Sequence, residues 1–92
     1  MNLTTSEFMM RAELDEATLD VWIAEGWLIA PSSGEAGYGE MDLARVRLIR
    51  DLIDDLGVNA EGVGVILHLI DQMHGLRAAL AEYVSARGRD RR

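Results

Sequence analysis

Apolar side chains recur every three or four residues along much of this chain, which is the spacing of one face of an α-helix. The first such stretch covers residues 7–12 and buries Phe8, and the candidates for its N-cap are Thr4, Thr5 and Ser6. The second covers residues 15–25, with Asp15 as the expected cap. Its core-facing side is formed by Leu19, Trp22 and Ile23. The pattern therefore predicts a short helix followed closely by a second one.

Two longer helices are predicted in the second half of the chain. The third covers residues 42–56 and stops at Gly57. Its buried stripe is expected to comprise Leu43, Val46, Ile49 or Arg50, Ile53 and Leu56. The fourth covers residues 59–86 with Asn59 as its cap, and no helix breaker follows until Gly88. Such a helix would be about 42 Å long, which is more than a small domain can cover.

The fourth helix carries two separate apolar stripes, which indicates two neighbours. Val63, Leu67 and Ile70 form one stripe and are expected to pack on the rest of the domain. The second stripe has the spacing of a heptad repeat, and we call it the seam. The seam consists of Ile66, Leu69, Met73, Leu76, Leu80 and Tyr83. We predict that this seam joins two copies of the protein as a homodimer. The alternative is a helix that breaks near Gly75 and folds back as a hairpin.

The connection between the second and third helices predicts a small β-wing. Gly26 stops the second helix, and an apolar run over residues 27–30 that ends before Pro31 indicates a short strand. Residues 32–40 then form a turn rich in Gly and Ser. The predicted fold is mainly α, a winged helix-turn-helix over residues 1–58, with a long C-terminal helix over residues 59–87 and a disordered basic tail over residues 88–92. Trp27 is equally suited to the core and to a partner surface.

The charge is distributed unevenly. Residues 1–42 hold nine acidic residues against Arg11 alone, a net charge of −8, whereas residues 87–92 have a net charge of +3. Since DNA binding depends on neutralising phosphates with Lys and Arg, the body should repel a duplex and attract basic proteins. The alternative is that the acidity only keeps the protein soluble.

Catalytic and metal chemistry find little support in the sequence. There is no Cys, and His68 and His74 are six residues apart, so they do not share a helix face as the two His of a zinc site would. No nucleophile lies near a base at a suggestive spacing. We therefore expect no enzyme, no cofactor and no metal site. The chain also lacks a run of about 18 apolar residues and a signal sequence, so we expect a cytoplasmic location and no membrane contact.

The order of elements resembles the MerR-type winged helix-turn-helix. The residues that carry the resemblance are Thr18, Leu19, Trp22, Gly26, Leu28, Pro31, Tyr38, Asp42 and Leu43. MerR-type regulators place Arg after the Thr-Leu pair, on the helix that enters the DNA major groove, and this chain has Asp20 there. The chain is similar over roughly residues 3–84 to one branch that has lost this basic face, the chaperone-modulator family CbpM. The size, the shortened wing and the pattern of Gly62, Val63, Leu67, Leu69, Ile70 and Asp71 also resemble that family.

The resemblance implies binding to the J-domain of a CbpA/DnaJ-like co-chaperone, with inhibition of its co-chaperone and DNA-binding activities. It does not identify interface residues, so we select these by charge and expected exposure. One acidic cluster consists of Asp15, Glu16, Asp20 and Glu25, and the other of Asp51, Asp54 and Asp55. The first alternative is a MerR-like or excisionase-like DNA-binding regulator that uses Arg11, Arg45, Arg47 and the tail. The second is a structural or phage-type assembly subunit that uses its C-terminal helix.

Overall fold

Four α-helices and one π-helical segment make up the fold in the computed structural model, which describes residues 2–32 and 37–90. The α-helices are α1 (Thr5–Ala12), α2 (Glu16–Ala24), α3 (Glu40–Arg50) and α4 (Ala60–Asp90). The π-helix, Asp51–Asp55, continues directly from α3. All four predicted helices are therefore present, and the prediction of a mainly helical fold is confirmed.

Side-chain caps define where α1 and α2 begin. The Thr4 hydroxyl accepts a hydrogen bond from the Glu7 amide at 3.1 Å, and the Glu7 carboxylate accepts one from the Thr4 amide at 2.9 Å. This reciprocal pair satisfies two backbone donors that a helix start leaves open. Asp15 caps α2 in a similar way, because its carboxylate accepts a hydrogen bond from the Thr18 amide at 2.7 Å. Thr4 is thus the cap among the three candidates, and the prediction for Asp15 is confirmed.

The prediction of a strand at residues 27–30 is wrong. The amides of Trp27 and Leu28 both donate to the Trp22 carbonyl, at 2.9 and 3.3 Å, so the chain wraps around the end of α2 instead of extending. Within the part of the chain that the structure describes, β pairing is limited to one antiparallel bridge between Leu3 and Tyr38. Residues 33–36, which include Gly34 and Glu35 of the predicted wing, lie outside the described residues. A small β-wing is therefore not shown.

The core lies between α1, α2, α3 and the first turns of α4. At its centre the rings of Phe8 and Tyr38 stack with their centroids 4.1 Å apart, and Trp22 contacts Trp27 with a centroid distance of 6.1 Å. The buried set comprises Leu3, Phe8, Ala12, Leu14, Leu19, Trp22, Trp27, Leu28, Tyr38, Val46, Ile49, Leu52, Val63 and Leu67. Trp27 is 6% exposed, so it belongs to the core and not to a partner surface.

The π-helix changes which side chains the third helix buries. The Leu56 amide donates to the Asp51 carbonyl five residues earlier, at 3.1 Å, so this turn holds more residues than an α-helical turn. As a result Leu52 is buried and Leu56 is 70% exposed. The prediction that Leu56 belongs to the buried stripe is wrong for this reason. Gly57 ends the segment with a φ of +65°, in the left-handed region that favours glycine.

One uninterrupted helix, α4, forms the C-terminal part of the described chain. It continues through Gly75, so the hairpin alternative is wrong, and through Gly88 as far as Asp90, so part of the predicted tail is helical. Val63 and Leu67 are 0% and 2% exposed and pack on the body as predicted, whereas Ile70, the third residue of the predicted stripe, is only half-buried. None of the helices in the described residues combines the length and the apolar content needed to cross a membrane.

Candidate protein-binding face

Seven acidic residues that the sequence singled out are all exposed on the body. They are Asp15, Glu16, Asp20, Glu25, Asp51, Asp54 and Asp55. The sequence of α2 contains no Lys or Arg, so its solvent face offers carboxylates and no cation. This is the helix that lies in the DNA groove in MerR-type regulators, and its charge is opposite to what a phosphate backbone requires.

The two acidic clusters meet at one cleft. Asp15 from the first cluster and Asp54 from the second both line a depression of about 230 Å³. Its remaining lining consists of Glu13, Leu14, Thr18, Trp22, Arg50 and Ile53. The sequence presented the two clusters as alternative interfaces. The structure instead joins one residue of each in a single cleft, which we call the acidic cleft.

Arg50 determines the shape of the acidic cleft. Its guanidinium donates hydrogen bonds to the carbonyl oxygens of Ala12 and Glu13, at the turn between α1 and α2. Glu13 itself has a φ of 54°, a left-handed conformation that closes α1 and redirects the chain into α2. Arg50 thereby fastens this turn to the end of α3, where the π-helix begins. The sequence left open whether Ile49 or Arg50 faces inward, and it is Ile49 that is fully buried while Arg50 is half-buried.

The Asp15 carboxylate remains an anion well below neutral pH. Its pKa is lowered chiefly by the hydrogen bond from the Thr18 backbone amide, and also by the Thr18 hydroxyl. Both donors stabilise the charged form of the carboxyl group. Asp51, Asp54 and Asp55 lie on the π-helix, an uncommon turn that is often found at functional sites. The acidic cleft is therefore a fixed anionic surface at physiological pH.

The other predicted residues of the first cluster lie outside this cleft. Asp20 acts on the core and not on the cleft, since the pKa of Tyr38 is raised first by burial and then by the charges of Asp42 and Asp20. Glu25 lies at the other end of α2 from Asp15, as its C-cap residue. The first cluster is therefore spread along α2 and does not form one patch.

The predicted self-association seam on α4 is largely exposed. The exposed fractions are 58% for Leu69, 41% for Met73, 71% for Leu76, 61% for Leu80 and 58% for Tyr83. Ile66 differs, because it is partly buried and packs against the core. Leu69 and the four seam residues that follow Ile70 are all exposed, so five of the six seam residues are available to another molecule.

One ion pair fixes α4 on the body. The Arg45 guanidinium donates to both carboxylate oxygens of Asp71, at 2.7 and 3.0 Å, and its Nε donates to the Trp27 carbonyl at 2.5 Å. The sequence pattern indicated Arg45 only as a cation for the DNA-binding alternative and did not predict this contact. His68 and His74 are both exposed, and no group of three potential metal ligands occurs among the described residues.

Comparison with protein families gives a match that covers most of the chain. No similar protein was found among curated proteins or among solved structures. A family model described as "MerR HTH family regulatory protein" matches residues 3–83, which is most of the chain. This span includes α1, α2, α3, the acidic cleft and α4 as far as Tyr83. The chain therefore belongs to the MerR helix-turn-helix family.

Proposed function

We propose that this protein is a protein-binding member of its family, a chaperone modulator that binds the J-domain of a CbpA/DnaJ-like co-chaperone and inhibits its co-chaperone and DNA-binding activities. The observation that supports this most is the acidic cleft, where Asp15 at the start of α2 meets Asp54 of the π-helix. J-domains present a basic helix to their Hsp70 partner. A compact acidic surface is the complement that such a helix requires. We place this activity in the cytoplasm.

The use of arginines within the body also supports a protein partner. Arg45 is engaged by Asp71 and by the Trp27 carbonyl, and Arg50 by the carbonyls of Ala12 and Glu13. Three of the five N–H donors of Arg45 and two of those of Arg50 are used in these internal contacts, which leaves fewer of them for a phosphate. Because phosphate neutralisation supplies most of the affinity of a protein for DNA, this arrangement disfavours a duplex.

DNA binding is the second candidate function, and the family match itself is what favours it. Of the cations predicted for this function, Arg11 on α1 and Arg47 on α3 are exposed, as are Arg87 and Arg89 near the end of α4. A fluorescence anisotropy titration against duplex DNA at about 150 mM salt tests this function. We expect no sequence-specific binding at micromolar concentrations. Specific binding below that range would replace our proposal by this one.

We further propose that the protein is a homodimer joined through the α4 seam. The seam is self-complementary when two copies run antiparallel. Leu69 then faces Leu80, and Met73 faces Leu76, about one axis between His74 and Gly75. Ile66, which would face Tyr83, is already partly buried against the core and adds little to this pairing. In the seven-residue repeat of the seam the apolar residues occupy the first and fourth positions, called a and d. An antiparallel pairing places each a residue of one copy opposite a d residue of the other, so that apolar side chains fill the seam.

Calorimetry with a purified CbpA-type J-domain tests the main proposal. The double variant Asp15→Asn with Asp54→Asn removes two charges from the acidic cleft, and Asn still caps a helix about as well as Asp. The control is Asp20→Asn with Glu25→Gln, which removes two charges outside the cleft. We expect the cleft variant to bind about tenfold more weakly, mainly through slower association, and the control to change binding much less. The unmodified protein should lose affinity as salt increases.

Two results would contradict the proposal. The first is the absence of heat, and of competition with Hsp70, at micromolar concentrations of the unmodified protein. The second is an equal loss of affinity in the cleft variant and in the control, because the acidity would then act only through the net charge of the body.

A further inference from the structure

A second surface with a different chemistry lies on the other side of α3 from Arg50. It is an open groove of about 430 Å³ between the end of α2, the first turns of α3 and the middle of α4. Its apolar lining includes Ile29, Met41, Ala44, Leu48 and Ile70. None of these residues takes part in the acidic cleft, so the groove is a separate feature of the body.

The apolar side chains at the rim of this groove are unusually exposed. Ile29 is 84% exposed and Met41 is 76% exposed, and both line the same groove although they belong to different segments of the chain. Single exposed apolar residues are common on protein surfaces, but two such residues that converge on one concavity indicate a binding surface. Met is also suited to this purpose, because its unbranched side chain adapts to different partners.

The charges around the groove select the chemistry of the partner. Arg45 and Asp71 both line the groove, and their charges neutralise each other through two hydrogen bonds of 2.7 and 3.0 Å. Asp42 also lines the groove, and Glu25 precedes the lining residue Gly26. The uncompensated charge at the rim is therefore negative. An anionic partner is repelled there, and an apolar partner with flanking cations is attracted.

We propose that this groove is a second protein-binding site, which takes an amphipathic segment with an apolar anchor and adjacent Lys or Arg residues. Apolar side chains of the segment insert between Ile29 and Met41, towards Leu48 and Ile70. Basic side chains of the segment face Asp42 and Glu25. Recognition of an amphipathic helix by an apolar groove works in this way in many complexes. This inference goes beyond the J-domain proposal and does not depend on it.

The test uses a fluorescein-labelled helical peptide of leucine and lysine, about 14 residues long, whose leucines follow helical spacing. The comparison peptide has glutamate in place of each lysine. We expect the lysine peptide to bind the full chain with micromolar affinity and the glutamate peptide not to bind, as measured by anisotropy. The double variant Ile29→Ser with Met41→Ser should bind the lysine peptide at least about tenfold more weakly, since two apolar anchors lose their buried contact.

The matched control is Met10→Ser with Val21→Ser, which removes two apolar side chains that are 79% and 55% exposed and lie outside the groove. Equal weakening by the control and by the groove variant would overturn the proposal, because binding would then follow general surface hydrophobicity. So would binding of both peptides alike, or no binding of the lysine peptide at about 100 µM. A change in oligomeric state of the groove variant in sedimentation equilibrium would also overturn it, because the groove would then be a contact between copies. The J-domain is absent from all these measurements, so a failure here leaves the proposed function intact.

Discussion

The contact of Arg45 with Asp71 and Trp27 predicts a measurable coupling between α4 and the body. The Arg45 side chain is 25% exposed and that of Asp71 is 52% exposed, so water screens the pair considerably. Exposed ion pairs contribute about 0–1 kcal/mol, and we place this one near the upper end because both carboxylate oxygens accept a hydrogen bond. Asp71→Asn should therefore lower the free energy of unfolding by about 0.5–1 kcal/mol.

Arg45→Met should cost more than Asp71→Asn, because it also leaves the Trp27 carbonyl without this donor. An unmade hydrogen bond adds roughly 1 kcal/mol, which brings the expected loss to about 1.5–2 kcal/mol. Urea unfolding of both single variants and of the double variant gives the coupling energy of the pair. If Arg45→Met costs no more than Asp71→Asn, the Trp27 contact contributes nothing to stability. If the coupling energy of the pair is zero, Arg45 does not fasten α4 to the body.

The same pair predicts a pH dependence with a definite sign. The pKa of Asp71 is lowered from 3.8, first by the hydrogen bond from Arg45 and also by the Arg45 charge. A carboxyl group whose pKa is lower in the folded state contributes stability that is fully present above its unfolded pKa and is lost as the pH falls through the folded value. The difference in unfolding free energy between the unmodified protein and Asp71→Asn should therefore be constant near neutral pH and shrink below about pH 4. A difference that grows on acidification would refute the argument.

Three further predictions concern the seam, the core and the end of the π-helix. The double variant Leu76→Glu with Leu80→Glu places charges in the proposed seam, so sedimentation equilibrium should show a monomer for the variant and a dimer for the unmodified protein. An unmodified protein that is monomeric at tens of micromolar would contradict the dimer. Phe8→Ala removes a fully buried ring that stacks on Tyr38, and it should cost about 3–5 kcal/mol in urea unfolding, against about 1 kcal/mol or less for Met9→Leu beside it. Gly57→Ala should cost about 1 kcal/mol because of its φ of +65°, whereas Gly75→Ala within α4 should stabilise the protein slightly.

The helix positions could be predicted because local chemistry determines them. The caps at Thr4 and Asp15, the glycine after residue 56 and the heptad-like spacing of α4 all act within a few residues along the chain. The π-helix could not be predicted in this way. It arises where α3 passes the turn between α1 and α2 that Arg50 holds, and the sequence pattern alone does not show such a tertiary contact. Leu56 was therefore assigned to the wrong side.

The error at residues 27–30 has a different cause. The run Trp-Leu-Ile-Ala is compatible with a buried strand and also with a buried turn. Over only four residues, apolar content does not distinguish these two structures. The structure is a turn, because the Trp22 carbonyl accepts hydrogen bonds from the amides of Trp27 and Leu28. The side chains of Trp27 and Leu28 are therefore buried in the core, and that of Ile29 is exposed. That exposed Ile29 is one wall of the groove. The turn at residues 27–30, which the sequence pattern predicted to be a strand, thus forms part of a groove that the pattern did not predict.

The site was only partly predictable, because the sequence showed which residues are charged but not which charges are already used. Asp71 was named only in the pattern that resembles the CbpM family. Arg45 was named only as a cation for DNA, and Arg50 only as the alternative to Ile49 in the buried stripe. In the structure both arginines bridge segments more than 15 residues apart in the chain, at distances that only the fold can set. Their positive charge is thereby directed inward, while Asp15 and Asp54 remain at the surface. Two arginines of this helix-turn-helix hold its segments together while its carboxylates face solvent, and this arrangement supports our proposal of a basic protein partner over a nucleic acid.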